Sequence, residues 1–364
     1  MFFKVDKTLL FTTIILLLFG LVVFGSAALG VLSVNETKFF SIIKNQLIFA
    51  LIGGAIALML GSIIPFNIYK KYAYLIFGGS LFFTSLVFVP ALSIYHGGAH
   101  RWIDLGPISV QPSETLKLSF VIFVAMWCAN YRSYFKNWKF GLLPYIIATF
   151  LVSVIMLSQP DFGTYLIIMT ASFSVFLIGG ARKKHVLFLI AAGVISFVAL
   201  ILFRPYMMER VETFFNSEQD KRGSSWQLNQ SLIAVGSGGF FGRGLGQSVQ
   251  KFNYLPEPIG DSIFAVLAEE LGFLGVVIIV ILYGILSIRG IVISLQAENQ
   301  FGRLLGMGIV TIIMAQASLN ISAMLGILPL TGVPLPLISH GGTALMATLF
   351  EIGILLNISK TSFI

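Results

Sequence analysis

Apolar residues along this chain come in long unbroken runs, not at the spacing of an amphipathic helix, and the runs recur with short polar breaks. They centre on residues 9–32, 46–65, 72–92, 114–130, 142–158, 162–180, 185–203, 262–288, 304–327 and 340–358. Roughly 20 apolar residues in helical form cross the hydrocarbon of a bilayer, where every backbone amide needs a partner inside its own segment. The pattern predicts an all-α integral membrane protein with about ten transmembrane helices, an even number that puts both termini on one side. One stretch, residues 204–261, is long and hydrophilic and reads as a loop. The first run is longer than the apolar core of a secretory signal and reads as an uncleaved first helix.

Composition agrees: 57% of residues are hydrophobic, 10% are charged and 34 are phenylalanine. So much apolar surface requires lipid as solvent, and residues 1–364 read as one polytopic membrane domain. The net charge of +8 does not indicate nucleic acid, because the basic residues are scattered through short loops and form no basic helix or aromatic-interleaved patch. They report topology instead. With the termini inside, Lys4, Lys7, Lys70, Lys71, Arg132, Lys136, Lys139, Arg182, Lys183, Lys184, Arg289, Arg303 and Lys360 all face the cytoplasm. The short outer loops keep only Lys38, Lys44 and Arg101, the asymmetry of the positive-inside rule. Residues 204–261 then lie outside. Cys128, the single cysteine, excludes an internal disulfide framework and a multi-cysteine metal site. His96 and His100 are four apart with glycines between them and no further ligands nearby, so no metal site is expected there.

Candidate chemistry gathers on the outer side. Around Arg101-Trp102 and Gln111-Pro112-Ser113-Glu114, polar and ring residues crowd where a helix enters the membrane. Ser113 reads as the cap of that helix, and Glu114 and Lys117, three apart on one face, are expected to pair. The pair serves equally well as a structural tie or a substrate contact, and Trp102 equally well as an interfacial anchor. Asp161, in the turn Gln159–Thr164, reads first as a helix cap. Glycines cluster at Gly236, Gly238, Gly239, Gly242, Gly244 and Gly246. They allow close backbone approach and exposed amides, although such loops are often merely flexible. Carboxylates at or inside a bilayer suggest function by default. Eight residues of helix, about 12 Å, put Glu269 deeper than Asp261. Asp261 is thus the candidate for chemistry on a water-soluble head group, with Glu269 and Glu270 bracing helices.

At these residues the chain resembles the SEDS family (shape, elongation, division and sporulation). The likeness runs through Arg101–Gly106, Gln111–Glu114 with Lys117, Gln159–Thr164, Trp226-Gln227, Gln230-Ser231, Gly242–Lys251, Leu255-Pro256-Glu257, Asp261, Glu269–Gly272 and Gly332–Pro336 with Ser339 and Gly341-Gly342. The run from Gly244 to Glu257 is closer to the division branch than to the elongation branch. Ile259-Gly260 stands where the family usually has His-Thr, and His340 where it often has Tyr.

The resemblance implies a peptidoglycan glycosyltransferase that polymerises lipid II at the outer face of the bacterial cytoplasmic membrane. Its implied partners are a single-pass class B penicillin-binding protein, other division proteins and membrane lipids. It implies Asp261 as catalytic base, with substrate contacts at Arg101, Trp102, Gln111, Glu114, Lys117, Asp161, Gln227, Arg243, Lys251 and Glu257. No cofactor is implied with certainty, and a divalent cation, magnesium or manganese, stays open at the diphosphate. Two other classes compete. A lipid II flippase predicts that Glu269, Glu270 and Glu351 matter most, and a non-catalytic scaffold predicts that no acid does.

Overall fold

The computed structural model describes residues 5–96, 99–104, 106, 109–131, 137–215 and 224–361. Lys4, Arg132 and Lys136 of the inner charges, Leu105 and Gly223 of the motifs, and Glu218, Asp220, Lys221 and Arg222 of the outer stretch lie outside these residues. Each apolar run becomes a helix because nothing else satisfies its backbone in lipid. Eight helices are long and apolar enough to span: Lys7–Leu32, Glu36–Ile63, Pro112–Asn130, Trp138–Ser158, Lys183–Phe203, Ile263–Leu295, Gln300–Met324 and Gly342–Ser359. Two shorter apolar helices, Ala73–Phe88 and Phe162–Ile178, fall on the remaining runs. The chain is an all-α multi-pass membrane protein.

In chain order the elements are α1 (Lys7–Leu32), α2 (Glu36–Asn45), a π-helical turn (Gln46–Gly53), α3 (Gly54–Ile63), α4 (Phe66–Lys71), α5 (Ala73–Ser85) and α6 (Pro112–Asn130). There follow α7 (Trp138–Gly141), α8 (Leu143–Ser158), α9 (Phe162–Ile178), α10 (Lys183–Phe203), α11 (Pro205–Phe215), α12 (Ser224–Ser237), α13 (Ile263–Leu295), α14 (Gln300–Met324) and α15 (Gly342–Ser359). Between α5 and α6 lies a small antiparallel sheet that the apolar pattern does not announce, with β1 (Ser93–His96), β2 (Ala99–Asp104) and β3 (Ser109–Val110) in that order. Within the described residues, the stretch read as a hydrophilic loop carries two helices, α11 and α12.

Polar side chains mark both ends of the bundle. At one end Arg289 pairs with Asp6, the Asp6 amide donates to Ser359 Oγ at 3.0 Å, and Lys360 Nζ donates to Ser62 O at 2.6 Å. Both ends of the described chain meet there, at the end the positive-inside rule assigns to the cytoplasm. At the other end Ser26 Oγ donates to Glu270 Oε1 at 2.7 Å. The two ties are twenty residues apart on α1 and nineteen apart on α13. At 1.5 Å per residue α1 covers about 30 Å between them, which is the thickness of the hydrocarbon core; α13 is broken by Gly272 (φ +65, ψ −164), two residues from the outer tie. Glu269 and Glu270 therefore mark its outer boundary and do not lie at mid-membrane. Asp261, nine residues before Glu270, lies among the head groups or just above them.

Between α14 and α15 the chain dips back into the bundle. Leu335, Leu337 and Ile338 are buried, and a Cβ at Gly20, six residues below the Ser26 tie, would strike Leu337 O at 2.4 Å. Irregular backbone at that depth survives only inside protein, with its polar groups satisfied. Pro334 and Pro336 have no amide hydrogen to give. The carbonyls are instead held by side chains: Val333 O by Asn320, Pro334 O by Gln316 and Pro336 O by Tyr283.

Candidate active site

Asp261 ends the long outer stretch immediately before α13. Ser262 occupies the cap position and the helix has no side-chain cap bond, so capping does not explain the aspartate. Its Oδ1 accepts from Gln227 Nε2 at 3.2 Å, and the same amide also reaches Ser262 Oγ at 3.0 Å. Gln227 is carried there by α12, which packs along α13. The Asp261 carbonyl accepts from Asn320 Nδ2 at 2.8 Å. On the opposite wall, a Cβ at Gly332 would stand 3.9 Å from Asp261 Oδ2. The carboxylate faces a cleft of about 110 Å³, lined also by Arg210, Thr213, Phe214 and Leu330. Burial pushes the Asp261 carboxyl up to about 6; the Gln227 bond opposes this, the Glu257 charge adds to it, and the amides of Asp261 and Ser262 oppose it. A half-buried carboxylate with one side-chain hydrogen bond, poised near neutrality in a cleft that Arg210 also lines, can take a proton from a hydroxyl.

Arg210 escapes a sequence reading because it is one of six basic residues in a charge-balanced stretch. Only the fold brings it from α11 to the cleft, where Nη1 donates to Leu330 O at 2.7 Å. Asn320 is missed for the same reason, as an ordinary polar residue in an apolar run.

The other candidates separate into three groups. Near the sheet, Arg101 on β2 holds the Gln159–Pro160 turn through the two carbonyls, at 3.4 and 2.5 Å. Asp161 caps α9 by accepting from the Thr164 amide at 3.2 Å, and Gln111 Nε2 reaches its other oxygen at 3.4 Å. Trp102 is half-buried on β2, opposite Ile94. The α6 cap is Gln111, not Ser113: Pro112 takes the first helical position, where its missing amide hydrogen does no harm, and this moves the cap one residue back.

Glu114 and Lys117 pair at 2.8 Å, both buried, and Lys117 Nζ also donates to Gln316 Oε1 at 2.7 Å. The lysine is fully engaged inside the protein. Breaking a buried pair leaves an uncompensated charge, so Lys117 acts through Gln316 more readily than on a ligand.

The third group is the cradle around Glu269 and Glu270. Glu269 accepts from Ser248 Oγ at 2.5 Å, Val249 N at 3.0 Å and Gln250 N at 3.3 Å, and pairs with Arg243 at 3.4 Å. Glu270 pairs with Lys251 at 2.7 Å and accepts from Ser26. The two acids hold the outer segment onto α13 as well as bracing α1. Close approach between backbones accounts for part of the glycine cluster: Gly242 has φ +78, and a Cβ there would strike Glu270 O at 2.1 Å. Lys251 is buried in this cradle, whereas the Arg243 side chain stays 41% exposed. Glu257 turns the chain just before Asp261, with φ +46, and its carbonyl accepts from the Gly260 amide at 3.0 Å. Among the described residues no three His, Cys, Asp or Glu side chains converge as metal ligands would.

A family model described as a cell cycle protein, FtsW/RodA/SpoVE, matches residues 7–363. Stage V sporulation protein E of Bacillus subtilis is 37% identical over 357 residues, 98% of this chain and 97% of its own length. The probable peptidoglycan glycosyltransferase FtsW of Trichlorobacter lovleyi is 35% identical over 359 residues, 97% of this chain and 93% of its own. A solved structure described as "Structural coordination of polymerization and crosslinking by a peptidoglycan synthase complex" matches with a TM-score of 0.82 at 26% identity, covering 99% of this chain and 98% of that one.

Proposed function

The chain belongs to the FtsW/RodA/SpoVE family of cell cycle proteins, and from that premise we propose that it polymerises peptidoglycan glycan strands from lipid II at the outer face of the bacterial cytoplasmic membrane. The observation that carries this reading is Asp261: a carboxylate pushed up to about 6, with one side-chain hydrogen bond, in a cleft that Arg210 also lines. In the reaction an acceptor sugar hydroxyl gives its proton to the Asp261 carboxylate as its oxygen bonds to the donor's anomeric carbon. The bond from that carbon to the diphosphate breaks, and the lipid diphosphate leaves with the electron pair. Arg210, which lines the cleft, and Arg243, whose side chain is 41% exposed, are the cations assigned to steady the developing charge. Arg101, Gln111 and Asp161 shape the neighbouring wall.

Magnesium or manganese enters this proposal only as a counter-ion of the diphosphate. With Asp261 kept for the proton, Glu257, whose charge is felt at Asp261, is the carboxylate that would hold such an ion alongside phosphate oxygens. The proposed partner is a single-pass class B penicillin-binding protein docked on lipid-facing helices, and crosslinking is its task.

Of the acids a flippase would use, Glu269 and Glu270 are bonded to fixed backbone and ion partners at the outer boundary, which disfavours a moving proton relay. The test is lipid II polymerisation by the purified chain, with and without the class B partner. Glycan ladders on a gel are expected; transbilayer movement of lipid II with no ladder under either condition overturns the reading.

A further inference from the structure

The bonds of Asn320 leave it little freedom. Its side chain is buried, and its single amide nitrogen gives one hydrogen to Asp261 O at 2.8 Å and the other to Val333 O at 2.7 Å. Four residues earlier, on the same face of α14, Gln316 Nε2 donates to Pro334 O at 3.0 Å while its Oε1 accepts from Lys117 at 2.7 Å. Lys117 is fixed in turn by Glu114. Two hydrogen-bonded sets thus meet at the covalent Val333–Pro334 link: Glu114, Lys117 and Gln316 hold Pro334 O, and Asn320 joins Val333 O to Asp261 O.

Asp261 needs such a hold. It precedes α13 and has no place in that helix's hydrogen-bond ladder, its nearest backbone tie being Ser262 N to Glu257 O at 3.3 Å; in the facing segment Val333–Pro336 two of four residues are prolines, and Leu335 N donates to Ser339 Oγ at 2.8 Å. Gln227 touches only the carboxylate tip. The backbone from which the carboxylate projects is fixed by Asn320, and the same amide fixes the wall across the cleft.

We propose that Asn320 is the positioning residue of the reaction, setting the distance between Asp261 and the Gly332–Pro334 wall, with Gln316 and Lys117 as its support. This rests on Asp261 being the base. Asn320 acts on geometry alone, so its loss lowers turnover and leaves the affinity for lipid II.

The test assays the purified full-length chain with its partner, lipid II being the probe, and expresses turnover per folded molecule after the folded fraction has been measured. Asn320→Leu removes both donors at similar volume. A displacement of order 1 Å costs about 10²-fold, so a fall of that size is expected, with KM changed by less than about twofold. Asn320→Ser keeps one donor and falls between, and it carries the test if the leucine variant does not fold. Gln316→Leu gives a smaller loss. Wild-type turnover per folded molecule in Asn320→Ser and Gln316→Leu overturns the inference, as does a raised KM at unchanged kcat. Asp261→Asn is run beside them. Normal polymerisation by that variant overturns the reading of the base itself, whereas an inactive Asp261→Asn with wild-type turnover in the Asn320 variants overturns the positioning role alone.

Discussion

Asp261 and the Glu269–Glu270 pair lie within ten residues of one another around one helix, yet their surroundings are opposites. Both glutamates are fully buried, and each is satisfied by a cation together with backbone amides or hydroxyls. The aspartate has one side-chain donor and faces open space. A saturated carboxylate has no capacity left for a substrate. An undersupplied one is poised near neutrality and available. Near a membrane surface, then, the number of bonds an acid already makes says more about its role than its depth does.

The comparison breaks most directly at Asp261. Asp261→Asn keeps the shape and the Gln227 contact but removes the proton acceptor, so glycan synthesis should fall by about 10²- to 10⁴-fold in well-folded protein, measured as ladder formation from lipid II. Near-normal ladders would return Asp261 to a structural role. In the cradle the loss should appear as stability. Lys251→Met strands the Glu270 carboxylate, and removing one partner of a buried pair costs about 3–5 kcal/mol. Thermal unfolding in detergent should shift accordingly, while turnover per folded molecule holds.

Acid sharpens the contrast. With the Asp261 carboxyl pushed up to about 6, turnover should drop about tenfold for each pH unit below that value as the base protonates. The sign for stability is the reverse: folding raises this group's affinity for its proton, so its contribution to stability is largest at low pH and declines as pH rises through about 6. Activity lost on acidification while the melting temperature holds or rises would therefore mark the base. The smallest effect belongs to Asp161, whose bond to the Thr164 amide is a helix cap. Asp161→Asn should cost about 0.5–2 kcal/mol at most, and a loss of turnover larger than that of Lys251→Met would give the sheet-side wall a direct part in the chemistry.

The spans were legible because roughly 20 consecutive apolar residues have one physical solution in lipid. The Glu114–Lys117 pair and the Asp161 cap were legible because they depend on local spacing. What was not legible depended on distant contact. The re-entrant segment is apolar and proline-rich, and nothing in its composition separates it from an outer loop; the bonds from Tyr283, Gln316, Asn320 and Ser339 make its depth tolerable. The depth assigned to Glu269 was a rise counted from Asp261 and lacked an absolute origin, which the Asp6–Arg289 and Ser26–Glu270 ties supply. The misplaced cap at Ser113 was avoidable, since Pro112 already signals the residue before it. The strands of the small sheet are too short for an alternation to stand out.

Those two ties also make the bundle a strut of fixed length. A bilayer thicker than the distance between them has to thin at the protein's rim, and a thinner one has to stretch, at fractions of a kcal/mol for each Å of mismatch. Because Asp261 is fixed relative to the strut while a lipid-borne substrate floats with the leaflet, acyl-chain length sets how high the reacting sugar rides against the carboxylate. The composition of the host membrane is then a tuning parameter of this enzyme, acting with no lipid bound to any particular residue.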